Sequence, residues 1–331
     1  MSSSATGGQR CGRWLAVLLL PAALGCRPSA APNETLGKTP VTVSISPQAY
    51  FVSRVGGEHV DVQVLVRAGQ SPHTYEPTPK QMARLARSRI YFRVGVQFEE
   101  QLFARMGGTF ANLEVVDTRQ GIKLRSMSGA QQCQHDDRDG HDHAHDDDSA
   151  AAGAEGTPDP HTWLSPKLAK IQARTICSAL KRIDPAHGDE FDRNLRAFEK
   201  DLDAVDAEIG ELLRPLEGQS FFVFHPAFGY FGDAFGLEQI AVETGGQEPG
   251  PKQLAALIDH AKKAGVRLIF VQRQFSSGSA EAVAEAIGGA VVPLDPLAED
   301  YIANLRDMAR HIAKGLRQQH NHRKPAVTGG E

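Results

Sequence analysis

Several things are scarce in these 331 residues, and each absence removes a class of function. Cysteine occurs only at Cys11, Cys26, Cys133 and Cys177, with no C-x-x-C pair, so neither a four-thiolate zinc module nor a dithiol redox motif is available. No H-E-x-x-H stretch exists either, which removes the helical zinc-protease signature. Cationic excess is missing: 36 Lys and Arg stand against 40 Asp and Glu, a formal net charge of −4, and no basic face advertises nucleic acid. No apolar run reaches the ~20 residues a membrane-crossing helix needs. What is abundant is histidine and aspartate in one place. The stretch "QHDDRDGHDHAHDDD", residues 134–148, holds four histidines and seven aspartates in fifteen positions. Imidazole nitrogen and carboxylate oxygen both bind zinc-like ions, so His135, His141, His143 and His145 form an accessory metal-collecting set. The run has no apolar period and nothing to pack, and therefore no means of fixing one ligand geometry.

The N-terminus reads as an export signal. A polar start with Arg10 and Arg13 precedes an apolar run from Trp14 to Leu24 and small residues before Cys26. The junction Ala23-Leu24-Gly25-Cys26 resembles a bacterial lipoprotein cleavage box, in which the cysteine is acylated, and the "RPSAAPNETLGKTP" that follows reads as a flexible tether. Charge divides accordingly. Without residues 1–25 the balance is −6, and residues 131–149, with seven aspartates and one arginine, account for all of it. The folded remainder is near neutral. Cys177 sits in an apolar helical pattern and reads as a small buried hydrophobe, although a bridge to Cys133 is permitted in an exported protein.

From Val41 short apolar strands alternate with helical stretches, the pattern of parallel sheets covered by helices. "VTVSISP", "VDVQVLV", "RIYFRVG" and "LEVVDT" are strands of one lobe; "SFFVFHP", "EQIAVE", "VRLIFVQ" and "AVVPLD" are strands of a second. Between them Phe191, Leu195, Phe198, Leu202, Val205, Ile209 and Leu212 recur at spacings of four and three, one stripe on a long connecting helix. The fold class is therefore α/β, two lobes each with a roughly four-stranded parallel sheet, joined by one long helix. Expected boundaries are 1–25 signal peptide, 26–40 tether, 41–185 N-terminal lobe with the His/Asp-rich loop at 131–157, 186–216 connecting helix, 217–318 C-terminal lobe and 319–331 polar tail. Ligands of such sheets sit beyond the carboxyl ends of the strands, so a cleft between the lobes collects loops from both.

Against that scaffold four isolated residues matter more than the cluster. His73 follows a strand in "GQSPHTYEPTP", His161 lies in the turn "TPDPHTWLSP", His225 ends "FFVFHP", and Asp295 ends "VVPLDP". Three imidazoles and a carboxylate make a four-coordinate set suited to Zn²⁺, and the prolines beside them stiffen the backbone. Imidazole suits zinc, copper and nickel, whereas manganese favours carboxylate oxygen. A zinc hydrolase is the enzymatic alternative, with Glu76 or Glu243 as base, but four protein ligands leave no position for activated water. His59, His187, His260, His311, His320 and His322 read as solvated, and Trp163 as packing behind His161.

The segments "SPHTYEPTP", "DPHTWLSP", "FHPAFGYF", "EPGPKQL", "FVQRQFS" and "VVPLDPL", in this order and with a long helix between the lobes, resemble the metal-binding lipoproteins of bacterial zinc and manganese ABC transporters. The likeness runs from Val41 to Gln318. It implies a solute-binding protein and not an enzyme, exported to the periplasm or the outer face of the cell membrane and lipid-anchored at Cys26. It implies delivery of Zn²⁺ to a membrane permease with its ATPase, and a monomer. By the same likeness His73, His161, His225 and Asp295 are the metal ligands, the first two from lobe one and the last two from lobe two. Histidine at position 225, where manganese-type members commonly carry glutamate, argues for zinc. A His-rich insertion before the second ligand also matches zinc-type members. A manganese- or iron-binding homologue and a surface adhesin are the alternatives.

Overall fold

Strand β1 (Thr39–Ile45) is buried along its last five residues, the continuous burial of a central parallel strand covered on both faces. It pairs in parallel with β2 (Val60–Val66) on one side and β3 (Ile90–Arg93) on the other, and β4 (Glu114–Asp117) adds beyond β3. The order β2-β1-β3-β4 recurs as β6-β5-β7-β8 in the second sheet, from β5 (Ser220–Val223), β6 (Glu238–Ala241), β7 (Leu268–Gln272) and β8 (Ala290–Leu294). Each order reverses at its first strand, which opens a crevice at the carboxyl edge. The computed structural model describes residues 37–106, 110, 113–127, 157–243, 250–263, 265–274 and 278–323. The expected signal, Cys26, Cys133 and the His/Asp-rich run with His135, His141, His143 and His145 lie outside those residues.

Helices α1 (Ser46–Gly56), α2 (Pro79–Leu85) and α3 (Phe98–Met106) are the crossovers of lobe one. The start of α2 shows how the sequence punctuates itself. Thr78 accepts from the Gln81 backbone N–H, and the Gln81 side chain accepts from that of Thr78, a complete capping box with Pro79 in the first turn. In lobe two the crossovers are α6 (Gly229–Phe235), α7 (Pro251–Lys263) and α8 (Gly278–Ala286).

Between the sheets run α4 (Pro166–Ile183) and α5 (Gly188–Leu213), and α9 (Tyr301–Arg323) returns beside them. It continues helical into the stretch read from sequence as a polar tail. At 26 residues α5 is about 39 Å long at 1.5 Å per residue. Its buried stripe is Phe191, Phe198, Leu202, Val205, Ile209 and Leu213. One apolar cluster extends from Val41, Phe51 and Tyr91 through Ile176, Phe198 and Leu202 to Phe221, Leu305 and Ile312. A smaller one (Phe222, Leu257, Ile269, Val283) fills the far face of the second sheet. Phe221 and Phe222 point to opposite sides because successive side chains of a strand alternate. The lobes thus share a core. Fully exposing one such side chain costs about 1.5–3 kcal/mol, so wide separation of the sheets is strongly opposed.

Cys177 lies in this core, free and 2 % exposed. Burial and the neighbouring Asp192 carboxylate push its thiol up to about 11, which leaves an inert packing residue.

Candidate metal centre

The carboxyl ends of the strands point into one small cavity of about 30 Å³. That volume holds an ion or a water or two and is far below the ~300 Å³ at which organic-ligand pockets begin. Pro72, His73, Val96, Gln97, Pro160 and His161 line it with His225, Gln272 and Leu297. His73 comes from the loop after β2, Gln97 from the loop after β3, His225 from the loop after β5 and Gln272 from the end of β7.

Three imidazoles converge there, and carboxylate partners fix the tautomers of two of them. His161 Nδ1–H donates to Asp159 Oδ1 at 2.7 Å, and His225 Nδ1–H donates to Glu243 at 3.0 and 3.2 Å. His73 Nδ1 lies 3.4 Å from the amide oxygen of Gln97. Carboxylate oxygens only accept, so His161 and His225 carry the proton on Nδ1 and present a lone pair at Nε2. His73 Nε2 and His225 Nε2 face one another at 3.3 Å. Two tetrahedral ligands at Zn–N 2.0–2.1 Å stand about 3.3–3.4 Å apart, so the two nitrogens are spaced as two ligands of one zinc ion would be. Ring centroids of His161 and His225 are 5.2 Å apart.

Burial holds both His73 and His225 below the ordinary imidazole pKa. The neighbouring His225 adds to the effect at His73, and the Glu243 carboxylate partly opposes it at His225. A neutral imidazole is the metal-binding form.

The fourth expected residue is placed differently. Asp295 Oδ1 accepts from Gln274 Nε2 at 2.8 Å and from the Leu297 backbone N–H at 3.0 Å. Pro296, Leu297 and Gln274 line the cavity beside it. As placed, no three His, Cys, Asp or Glu side chains among the described residues form a closed ligand set. The imidazoles are gathered, and the carboxylate is still engaged with its own loop.

What holds the walls is polar and buried. Gln272 clamps the His225 backbone, its Oε1 accepting from N–H at 3.2 Å and its Nε2 donating to C=O at 2.7 Å. Under the loop bearing Val96 and Gln97, the fully buried Glu99 accepts from the Val94 and Gly95 N–H groups and from Ser44. Burial raises its pKa against those bonds. Gly95 has φ +87°, and Arg119 crosses it so closely that a Cβ would stand 1.8 Å from the guanidinium. The positive φ favours glycine at that turn.

The His161 segment lies between β4 and α4 and is tied to both sides of the cleft: Gln172 Nε2 donates to Thr162 Oγ1 at 3.2 Å, Trp163 Nε1 donates to Pro296 O at 2.9 Å, and Tyr301 donates to Trp163 O at 2.5 Å. Trp163 does pack beside the His161 ring, 5.2 Å between centroids. His59 and His187 depart from the solvated reading. Their rings stack at 3.7 Å, and the His59 side chain is 17 % exposed. The sequence alone assigns Asp159 no role and offers Glu243 only as the base of the hydrolase alternative. The D-P-H spacing was a usable signal for Asp159; Glu243 is eighteen residues from His225 and had none.

Residues 41–315 match the family described as zinc-uptake complex component A, periplasmic (ZnuA). The high-affinity zinc uptake system protein ZnuA of Yersinia pestis is 29 % identical over 290 residues, covering 86 % of this chain and 90 % of that one. A crystal structure of a ZnuA superposes with TM-score 0.73 at 38 % identity, over 84 % of this chain and 99 % of that one. A ZnuA deletion mutant with zinc bound gives the same TM-score and identity. The two four-stranded sheets, the long helix between them and a match over most of the chain agree: this protein belongs to the ZnuA family of periplasmic zinc-uptake components.

Proposed function

We propose that this chain is the extracytoplasmic zinc-binding component of an ABC importer, capturing Zn²⁺ as cargo and delivering it to a permease driven by an ATPase. The observation that carries the reading is the set of three imidazoles lining one ion-sized cavity, with Nε2 of two of them 3.3 Å apart and two backed by carboxylates at Nδ1. His73, His161 and His225 are the nitrogen ligands. Asp295 completes the set by exchanging its bond to Gln274 for the metal. Zinc fits these donors better than manganese, since imidazole nitrogen dominates, and the family and the zinc-bound relative favour the same ion.

Four protein ligands leave no place for activated water, and ~30 Å³ leaves none for an organic substrate, so the reading is transport and not catalysis. Because the lobes share a core, uptake and release proceed by loop shifts and small tilts instead of wide closure. Among the described residues no helix is long and apolar enough to cross a membrane. The reading supplies attachment through export on residues 1–25, acylation of Cys26 and a tether to about residue 40, with the folded part acting as a monomer. His135, His141, His143 and His145 serve as a weaker collector.

His161→Ala tests the ligand set. Competition with a chromophoric chelator should show zinc affinity falling by about 100-fold or more, one ligand's share of the ~10–16 kcal/mol typical of a four-ligand zinc site. Unchanged affinity would remove His161 from the site.

A further inference from the structure

The peptide that carries His161 is gripped by a helix of the opposite lobe. On each side of residues 128–156 the chain pairs with itself. Met127 N–H donates to Thr157 O and Asp159 N–H donates to Arg125 O, both at 2.8 Å, around an antiparallel bridge from Ser126 to Pro158. Helix α6 closes on this pair. The Tyr230 hydroxyl accepts from the Arg125 backbone N–H at 3.0 Å and donates to Asp159 O at 3.1 Å, so one oxygen ties both strands of the pair. Tyr230 is 4 % exposed, and a hydroxyl there is shielded from competing water. The Arg125 guanidinium lies across Gly229, where a Cβ would stand 2.4 Å from it, and reaches Asp233 at 3.0 Å.

Asp159 is the point of transmission. Its Oδ1 accepts both the backbone N–H of His161 at 2.9 Å and the ring Nδ1–H at 2.7 Å. Its Oδ2 lies 3.8 Å from Arg125 Nε. The acceptor that sets the His161 tautomer and ring direction is therefore held by the groups that bind its own backbone to α6. The exposed ion pair alone does not explain this. Asp233 is 64 % exposed, and a surface pair of that kind is worth little. The buried hydroxyl, the two backbone bonds and the Arg125 guanidinium beside the buried Asp159 carboxylate carry the grip.

We propose that Tyr230, with Arg125, is a positioning residue for His161, a clamp through which a tilt of α6 loosens or tightens one ligand of the metal. This rests on the reading of the cleft as the zinc site. It gives that site a route by which a partner pressing on lobe two lowers zinc affinity without touching the metal.

The test uses the full chain with Tyr230→Phe, Arg125→Ala and Asp233→Asn. Zinc dissociation, followed by transfer to an excess of chelator, should be about tenfold faster in Tyr230→Phe and Arg125→Ala, the scale of lost partners to metal-bound histidine. Asp233→Asn should change it by about twofold or less. In the metal-free protein the imidazole NMR signals of His161 should shift or broaden in the first two variants, while those of His225 stay as in wild type. Loss of general stability would move both histidines together. Unchanged dissociation, or an unchanged His161 signal, in both Tyr230→Phe and Arg125→Ala overturns the clamp. A wild-type protein that takes up no zinc would overturn the functional reading instead, and the metal-free His161 signal would still decide the clamp.

Discussion

His225 and His73 face one another across 3.3 Å, yet they are held in opposite ways. The His225 side chain is 3 % exposed, its ring backed by a Glu243 carboxylate that is 1 % exposed and its backbone clamped at both ends by Gln272. His73 is half-buried in a surface loop, and its Nδ1 meets the neutral amide of exposed Gln97 at 3.4 Å. A carboxylate partner makes an imidazole a stronger donor to metal and fixes its direction. In the proposed zinc site this difference predicts a division of labour, the His225 side holding the ion and the His73 side admitting and releasing it.

The largest effect should come from the rigid side. His225→Ala is expected to lower zinc affinity by about 100- to 1000-fold, and His73→Ala by clearly less, both read by chelator competition. Equal losses would erase the comparison. Next comes the partner: Glu243→Gln keeps an acceptor for Nδ1–H and removes the charge, and should weaken binding about tenfold to a hundredfold, measured in the same titration. Gln97→Glu works in the other direction. Giving His73 a carboxylate partner should slow zinc dissociation several-fold in stopped-flow transfer; an unchanged or faster rate would show that the amide does not set the exit of the ion.

A smaller effect follows from protonation. Burial holds His73 and His225 below the usual pKa, so the unfolded chain binds more protons than the folded one as pH falls through about 6.5. Stability of the metal-free protein therefore rises with pH and is lost on acidification through and below that value. Thermal unfolding of metal-free wild type should show a fall in Tm between pH 7.5 and 5.5 that is reduced in His225→Asn. Identical slopes would mean that this histidine is not held neutral by the fold. Zinc affinity should also persist to lower pH than an unperturbed imidazole allows, because fewer protons must leave.

The alternation of strands and helices was legible because each strand is short, apolar and bounded by turn residues, and because the stripe from Phe191 to Leu212 has a helical period, although Leu195 and Leu212 are only partly buried and Leu213 is buried instead. His73, His161 and His225 were legible for a related reason. Each stands next to proline just past a strand or before a helix, where open α/β sheets collect ligands. What could not be read is what depends on long-range contact. Glu243 meets His225 only because β6 pairs with β5. Helix α6 takes the His161 segment across the cleft through Tyr230, 71 residues away from Asp159. Asp295 illustrates a third kind of limit, since a motif gives the position of a carboxylate and not the bond to Gln274 in which it is engaged.

The His/Asp-rich run is the other place where metal is advertised, and the cleft must be separated from it. Metal content by mass spectrometry, on protein lacking residues 134–148 and purified without chelators, does this directly. One zinc per chain is expected, lost on combining the deletion with His225→Ala; a deleted protein that retains no zinc would contradict the cleft as the primary site.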